Sequence, residues 1–192
     1  MYTTEESDEA LAGLSLKDKH VFAYLVERYE RPLSVYIRRL GVSAEADTED
    51  VLQETFLKAY INLNSFDPKY SFSSWIYRIA HNEAMTFFRK RKVRPHGSLI
   101  EDSEGVLQTL ASELDIIADL TEEENRVVMR SAITSLPREY QEVLILKFYE
   151  HKSYDEISDI LSIPPGTVGT RMHRAKKSLA QALEHNHYHH GT

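Results

Sequence analysis

The 192-residue chain has no cysteine, which excludes disulfides and thiolate metal sites. Glycine is scarce, with seven in the whole chain, and none falls in a pattern that would cradle a phosphate. No apolar run approaches the ~20 residues of a membrane span. The opening MYTTEESDEA is acidic and polar, unlike a secretory signal. The internal histidines His20, His81, His96, His151 and His173 show neither metal-ligand spacing nor a Ser/His/Asp arrangement. These absences argue against an enzyme, and they leave no small-molecule substrate, cofactor, metal or direct membrane insertion to assign. A cytoplasmic binding protein is the simplest expectation.

An excess of positive charge is also lacking: the formal net charge is −7 and the pI about 5.7. Its placement is uneven. Residues 1–20 sum to −3 and residues 21–94 to +3. Residues 95–135 hold nine acids against Arg126 and Arg130, while residues 136–192 balance. Block asymmetry of this kind predicts separate modules with different partners.

What is present is helical periodicity. From His20 to Lys92 apolar residues recur at helical spacing, as Val21, Phe22, Leu25, Val26 and Tyr29, then Val51, Phe56, Leu57, Tyr60 and Ile61. Three or four packed helices follow, with turns near residues 41–47 and 64–71. From Arg94 to about Asp119 the pattern dissolves into turn-formers and acids, with at most a short helix in VLQTLASELDIIADL. Thr121 and Glu124 then form a capping box that opens a second helical module. The expected fold class is all-α: two small helical domains joined by a flexible acidic linker. Its parts are an N-terminal tail (1–19), a first domain (20–94), the linker (95–120), a second domain (121–184) and a His-rich tail (185–192). His185, His187, His189 and His190 have ligand character. The plainer reading of that tail is a disordered end or a remnant of expression.

Within the second module, SYDEISDILSIPPGTVGTRMHRAKKSL reads as two helices about a tight turn. Ser153 and Glu156 form another capping box, so a helix begins at Tyr154. Ser162 to Pro164 break it, and Pro165 suits the first turn of the next, where a missing N–H costs little. In that next helix Val168, Met172, Ala175 and Leu179 make one apolar stripe. Thr170, His173, Arg174 and Lys177 lie opposite, with Arg171 and Lys176 at the flanks. Such a helix fits the DNA major groove; the alternative is a solvated basic face on an ordinary helical hairpin.

SFSSWIYRIAHNEAMTFFRKRK, residues 71–92, carries the only tryptophan and the densest basic run. On a helical wheel Trp75, Arg78, Asn82, Thr86 and Arg89 share a sector, while Ile76, Ala80, Ala84 and Phe87 face away as a core stripe. The loop before it adds Asn64, Phe66, Tyr70 and Phe72. Aromatics beside cations grip single-stranded nucleic acid, each base stacking for about 1–3 kcal/mol. The alternative is a half-buried Trp75 with a solvated helix end. Upstream, EDVLQETFLKAY places Asp50, Gln53 and Glu54 on a helix with Val51, Phe56 and Leu57. That face is either simply wet or docks on a protein.

Together these stretches resemble a bacterial sigma factor of the extracytoplasmic-function class, over residues 20–94 and 121–183. EDVLQETFLKAY resembles the polymerase-binding part of region 2, FSSWIYRIAHNEAMTFFRKRK the segment that melts and reads the −10 element, and LPREYQEVLILKFYEHKSYDEISDILSIPPGTVGTRMHRAKKSL the −35-reading region 4. The resemblance implies that Asp50, Gln53, Glu54 and Phe56 face core RNA polymerase. It implies that Asn64, Phe66, Trp75, Arg78, Asn82 and Arg89 serve the −10 strand, and Thr170, Arg171, His173, Arg174 and Lys177 the −35 DNA. An anti-sigma factor is the further partner it implies. Three residues depart from the family pattern: Gly169 stands where Lys or Arg is usual, Thr86 where Asp is common, and Ser162 where a turn glycine is frequent. A stand-alone helix-turn-helix regulator is the rival, and it predicts promoter binding without polymerase.

A net-negative chain neutralises few phosphates and so binds DNA weakly by itself. On the sigma reading the acidic connector suppresses free DNA binding and threads a positively charged channel of the core enzyme. Deletion of residues 99–119 is therefore expected to lower transcription from a cognate promoter in vitro; unchanged transcript yield would remove the connector's role.

Overall fold

Ser7 starts the first helix, α1 (Asp8–Ser15), by accepting a hydrogen bond from the Ala10 N–H at 3.2 Å. The computed structural model describes residues 6–91 and 131–189. They fall into two compact units, residues 6–91 in one and most of residues 131–189 in the other. The expected connector (95–120) and the capping box at Thr121 and Glu124 lie outside the described residues.

α1 corrects the expectation of a tail over residues 1–19. Leu11 and Ala12 are buried, and the Ser15 hydroxyl, also buried, donates to Leu11 O at 2.6 Å. Asp8 receives Arg28 and the Tyr29 hydroxyl from the next helix. Burial, and after it the hydrogen bond to Asp8, pushes the Tyr29 phenol far above its ordinary range, so it stays a donor.

α2 (Phe22–Arg39) follows a single 3₁₀ turn, Lys19–Val21. It buries Leu25, Tyr29, Leu33, Tyr36 and Ile37 at helical spacing. Gly41 ends it in the left-handed region (φ 106°). The Gly41 N–H returns to Arg38 O at 2.8 Å and the Val42 N–H to Ile37 O at 3.3 Å, a Schellman closure.

α3 (Glu45–Ile61) opens with Glu45 and Asp47, which suit the positive end of its dipole. Its buried face is Thr48, Val51, Leu52, Thr55 and Ala59. The threonine hydroxyls are satisfied locally: Thr48 donates to Val42 O at 3.0 Å and Thr55 to Val51 O at 2.7 Å. This corrects the apolar series read from the sequence. Of Val51, Phe56, Leu57, Tyr60 and Ile61 only Val51 is buried; Leu57 is 52% and Ile61 64% exposed. Thr48, Thr55 and Ala59 take inward positions beside Val51 and Leu52, while Leu57, Tyr60 and Ile61 are left outside.

α4 (Phe72–Arg91) completes the first unit. Phe72, Ile76, Ala80, Ala84 and Phe88 are buried. Steps of four residues wind the core line about 40° per step round the helix. By the last turn it has reached Phe88, and the expected core residue Phe87 is half-exposed, with the Arg91 guanidinium 5.0 Å from its ring centroid. Lys58–Glu83 at 2.6 Å and Arg91–Asp47 at 2.7 Å tie α4 to α3.

In the second unit residues 131–135 are helical, and α5 (Arg138–Leu144) runs into a widened π turn, Ile145–Tyr149. α6 (Tyr154–Leu161) starts where the capping box places it: the Ser153 N–H donates to Glu156 Oε2 at 2.9 Å and the Glu156 N–H to Ser153 Oγ at 3.2 Å. α7 (Pro165–His189) opens on Pro165 and buries Val168, Met172, Ala175 and Leu179 as one stripe. Its backbone continues through residues 185–189, which corrects the reading of that segment as a disordered end. Among the described residues there is no strand.

Ser162 sits at φ 54°, in the left-handed region, between α6 and α7. The turn is held by the Ile163 N–H on Ser158 O at 3.1 Å and the Ser158 hydroxyl on Ile163 O at 2.6 Å. Ser162→Gly removes a left-handed cost of about 1–2 kcal/mol and adds chain entropy to the unfolded state. Chemical denaturation is expected to show a net gain of roughly 0.5–1 kcal/mol.

Candidate nucleic-acid and partner interfaces

Three surfaces collect the residues that the sequence singles out. The first lies at the start of α4. Phe72 is fully buried and anchors a cluster in which Phe66, Phe72 and Trp75 meet pairwise at 5.4–5.5 Å between ring centroids. Phe66 and Trp75 are half-buried, so their rings are partly open to a concavity. Ser65, Phe66, Asp67, Tyr70, Ser71, Ser74, Trp75 and Arg78 line it. Local bonds shape the loop: Ser65 Oγ donates to Asn62 O at 2.7 Å, and Asp67 Oδ1 accepts from the Lys69 N–H at 3.0 Å. The last is an Asx turn, which fixes a short loop without secondary structure.

Of the six residues expected at the −10 strand, Phe66, Trp75 and Arg78 converge here. Asn64, Asn82 and Arg89 are exposed but do not line the concavity. Asn82 and Arg89 belong to a chain further along α4: Arg89 donates to Thr86 Oγ1 at 3.0 Å, and Thr86 donates to Asn82 O at 2.9 Å. Ser74 was missed because it precedes Trp75 on α4 and falls outside the outward sector. Partly open rings beside a guanidinium and several hydroxyls can take a flat, hydrogen-bonding group such as an unpaired base.

The second surface is a groove between α3 and α4 of about 610 Å³. Asp50, Gln53, Glu54 and Leu57 line it from α3, and Glu83, Thr86, Phe87 and Lys90 from α4. Phe56, grouped with Asp50, Gln53 and Glu54 from the sequence, projects roughly 110° away round α3 and is half-buried. Leu57 takes its place as the apolar member. The periodic pattern did contain Leu57, but on the side assigned to the core. Exposed carboxylates about a protruding leucine suit a protein partner with an apolar anchor point and a basic rim.

The third surface is the outer face of α7. Thr170, His173, Arg174 and Lys177 are exposed together. Arg171 is not part of that free set: its guanidinium pairs with Glu139 of α5 at 3.3 Å and is half-buried. Lys176 lies 5.6 Å from the Phe148 ring. The Thr170 hydroxyl donates back to Gly166 O at 2.9 Å, so its proton is used within the helix and it faces outward as an acceptor and a methyl. Among the described residues no group of three or more His, Asp or Glu is arranged to hold a metal ion. No described helix is long and apolar enough to cross a membrane.

An aromatic, cation-flanked concavity on one helical unit and a helix-turn-helix with a basic outer face on another are the features of a bipartite DNA-binding class of protein. Comparison with known proteins makes the class specific. The Sigma-70 region 2 profile matches residues 25–94 and the Sigma-70, region 4 profile residues 115–179. The ECF RNA polymerase sigma factor SigW of Bacillus subtilis is 38% identical over 174 residues, covering 86% of this chain and 90% of that protein. The ECF RNA polymerase sigma-E factor of Escherichia coli K12 is 33% identical over 174 residues, covering 87% and 88%. Among solved structures, CnrH in complex with the cytosolic domain of CnrY shares the fold at a TM-score of 0.66 and 24% identity, over 93% of this chain and 98% of that one. The sigma factor RpoE in complex with the anti-sigma factor NepR, from Bartonella quintana, does so at 0.62 and 22%, over 85% and 96%. The chain belongs to the sigma-70 family as an ECF RNA polymerase sigma factor, which sets aside the stand-alone regulator.

Gly169 lies on α7 beside Thr170, and a Cβ built there meets no atom within 4 Å. Gly169→Lys adds a cation at a helical site and gains roughly 0.5–1 kcal/mol of helix propensity. Titration of the isolated protein with promoter duplex should show tighter binding, and the log–log salt slope should steepen by about 0.9 for one added phosphate contact.

Proposed function

We propose that the three surfaces divide the work of promoter-directed initiation. The α3–α4 groove, through Asp50, Gln53, Glu54 and Leu57, docks on bacterial core RNA polymerase. The concavity of Phe66, Trp75 and Arg78 takes a flipped base of the −10 element, with Asn64, Asn82 and Arg89 along the strand path. The α7 face of Thr170, His173, Arg174 and Lys177 enters the major groove at the −35 element. Arg171 supports α7 through Glu139 rather than reading DNA. The factor is non-catalytic: base stacking and phosphate pairing hold a melted strand, and the polymerase performs the chemistry. It acts in the cytoplasm and is held in check by an anti-sigma factor.

The observation that carries this reading is the convergence of Phe66, Trp75 and Arg78, from the loop and from α4, about one concavity. A ring pair held open beside a cation has no need in a core, and it matches what an unstacked base requires. The net charge of −7 accords with a factor that binds DNA weakly until it joins its enzyme, since phosphate neutralisation supplies non-specific affinity.

In vitro transcription with core polymerase on a promoter library, followed by permanganate mapping of the melted strand, tests the division. Trp75→Ala should leave core affinity intact and cut open-complex formation by roughly 5- to 100-fold, the equivalent of one stacked base. Asp50→Lys with Glu54→Lys should do the reverse, lowering core affinity at least tenfold. Equal loss of both properties in either variant would refute separate surfaces.

A further inference from the structure

α1 reaches the concavity through its carboxylates. Glu9 Oε1 accepts a hydrogen bond from the Phe72 N–H at 3.0 Å, across 63 residues of chain. Phe72 is the first residue of α4, so its N–H is one of the amides that a helix start leaves without an internal partner. A carboxylate serves that position twice, by accepting the bond and by facing the positive end of the helix dipole. Ser71 Oγ takes the Ser74 N–H at 3.3 Å in the same turn. Asp8, beside Glu9, accepts from Arg28 and from the Tyr29 hydroxyl. The Tyr29 ring then meets Phe72 edge-on at 5.6 Å. Both routes from α1 end on Phe72, and Phe72 is the buried ring on which Phe66 and Trp75 rest.

We infer that Glu9 is a positioning residue for promoter opening: by holding the first turn of α4 through Phe72, it keeps Phe66 and Trp75 spaced for a base before DNA arrives. The inference rests on the reading of the concavity as a base site. A pocket ordered in advance avoids the loss of side-chain freedom that binding would otherwise impose. α1 can act as the fixed point because Leu11 and Ala12 bury it against the unit.

Trp75 is the only tryptophan, so its emission reports the concavity without DNA or polymerase. In the full-length protein Glu9→Ala is expected to shift that emission to the red and raise acrylamide quenching by about twofold, with far-UV circular dichroism unchanged. Core affinity should hold, while open-complex formation on promoter DNA falls roughly three- to tenfold. Glu9→Gln keeps an acceptor oxygen and should restore most of both. If Glu9→Ala does not fold, Asp8→Asn weakens the contact of α1 with Arg28 and Tyr29, leaves the Tyr29 ring on Phe72, and should produce the same changes at smaller size. Unaltered Trp75 emission and quenching in these variants would overturn the inference. So would a loss of opening that only tracks a loss of core affinity. Altered emission with full promoter opening would sink the base-site reading and with it the role in opening, and the fluorescence arm separates that failure from the absence of any hold by Glu9.

Discussion

The burial of Phe72 is the constraint on which the first unit turns. Its ring is sealed from solvent and meets those of Tyr29, Phe66 and Trp75. Its amide opens α4 and ends on a carboxylate from α1. One residue therefore joins the core, the start of a helix and the floor of the concavity. In a close-packed interior a ring cannot shift without moving its neighbours, so the spacing of the two outer rings is inherited from the core. That is how the proposed base site can keep its rings in place although one of them comes from a loop.

Charge is divided with the same economy. Arg28, Lys58, Arg91, Arg138 and Arg171 form ion pairs inside their own units. Such partly exposed pairs contribute little energy each, on the order of 0–1 kcal/mol. What they do is occupy the cations that a simple count would assign to DNA. Arg174 and Lys177 make no ion pair among the described residues and stay outward on α7. The basic run at the end of α4 is likewise reduced, because Arg91 bridges to Asp47 and covers Phe87. With these cations engaged inside their own units, the chain is suited to act as part of a larger enzyme that supplies further phosphate contacts.

Much of the second unit was legible in the sequence. The reciprocal bonds of Ser153 and Glu156, the start at Pro165 and the stripe of Val168, Met172, Ala175 and Leu179 all stand where the spacing puts them. The first unit was harder to read. α1 is short and acid-rich, and it is held by partners such as Arg28 and Phe72 that lie far along the chain. α3 turns Thr48, Thr55 and Ala59 inward and leaves Leu57 and Ile61 outside, the opposite of what hydrophobicity suggests. Arg171 looked like its neighbours on α7 until Glu139 of α5 was in place beside it.

The sequence by itself determined where α6 and α7 begin, and which residues of those helices share a side. Caps, proline and the 3.6-residue period act within a few residues and need no neighbour. Only the tertiary structure decided which side is inside, which cations are free and which rings and carboxylates meet. Those outcomes depend on how closely one helix can approach another, and that is set by side chains tens of residues apart.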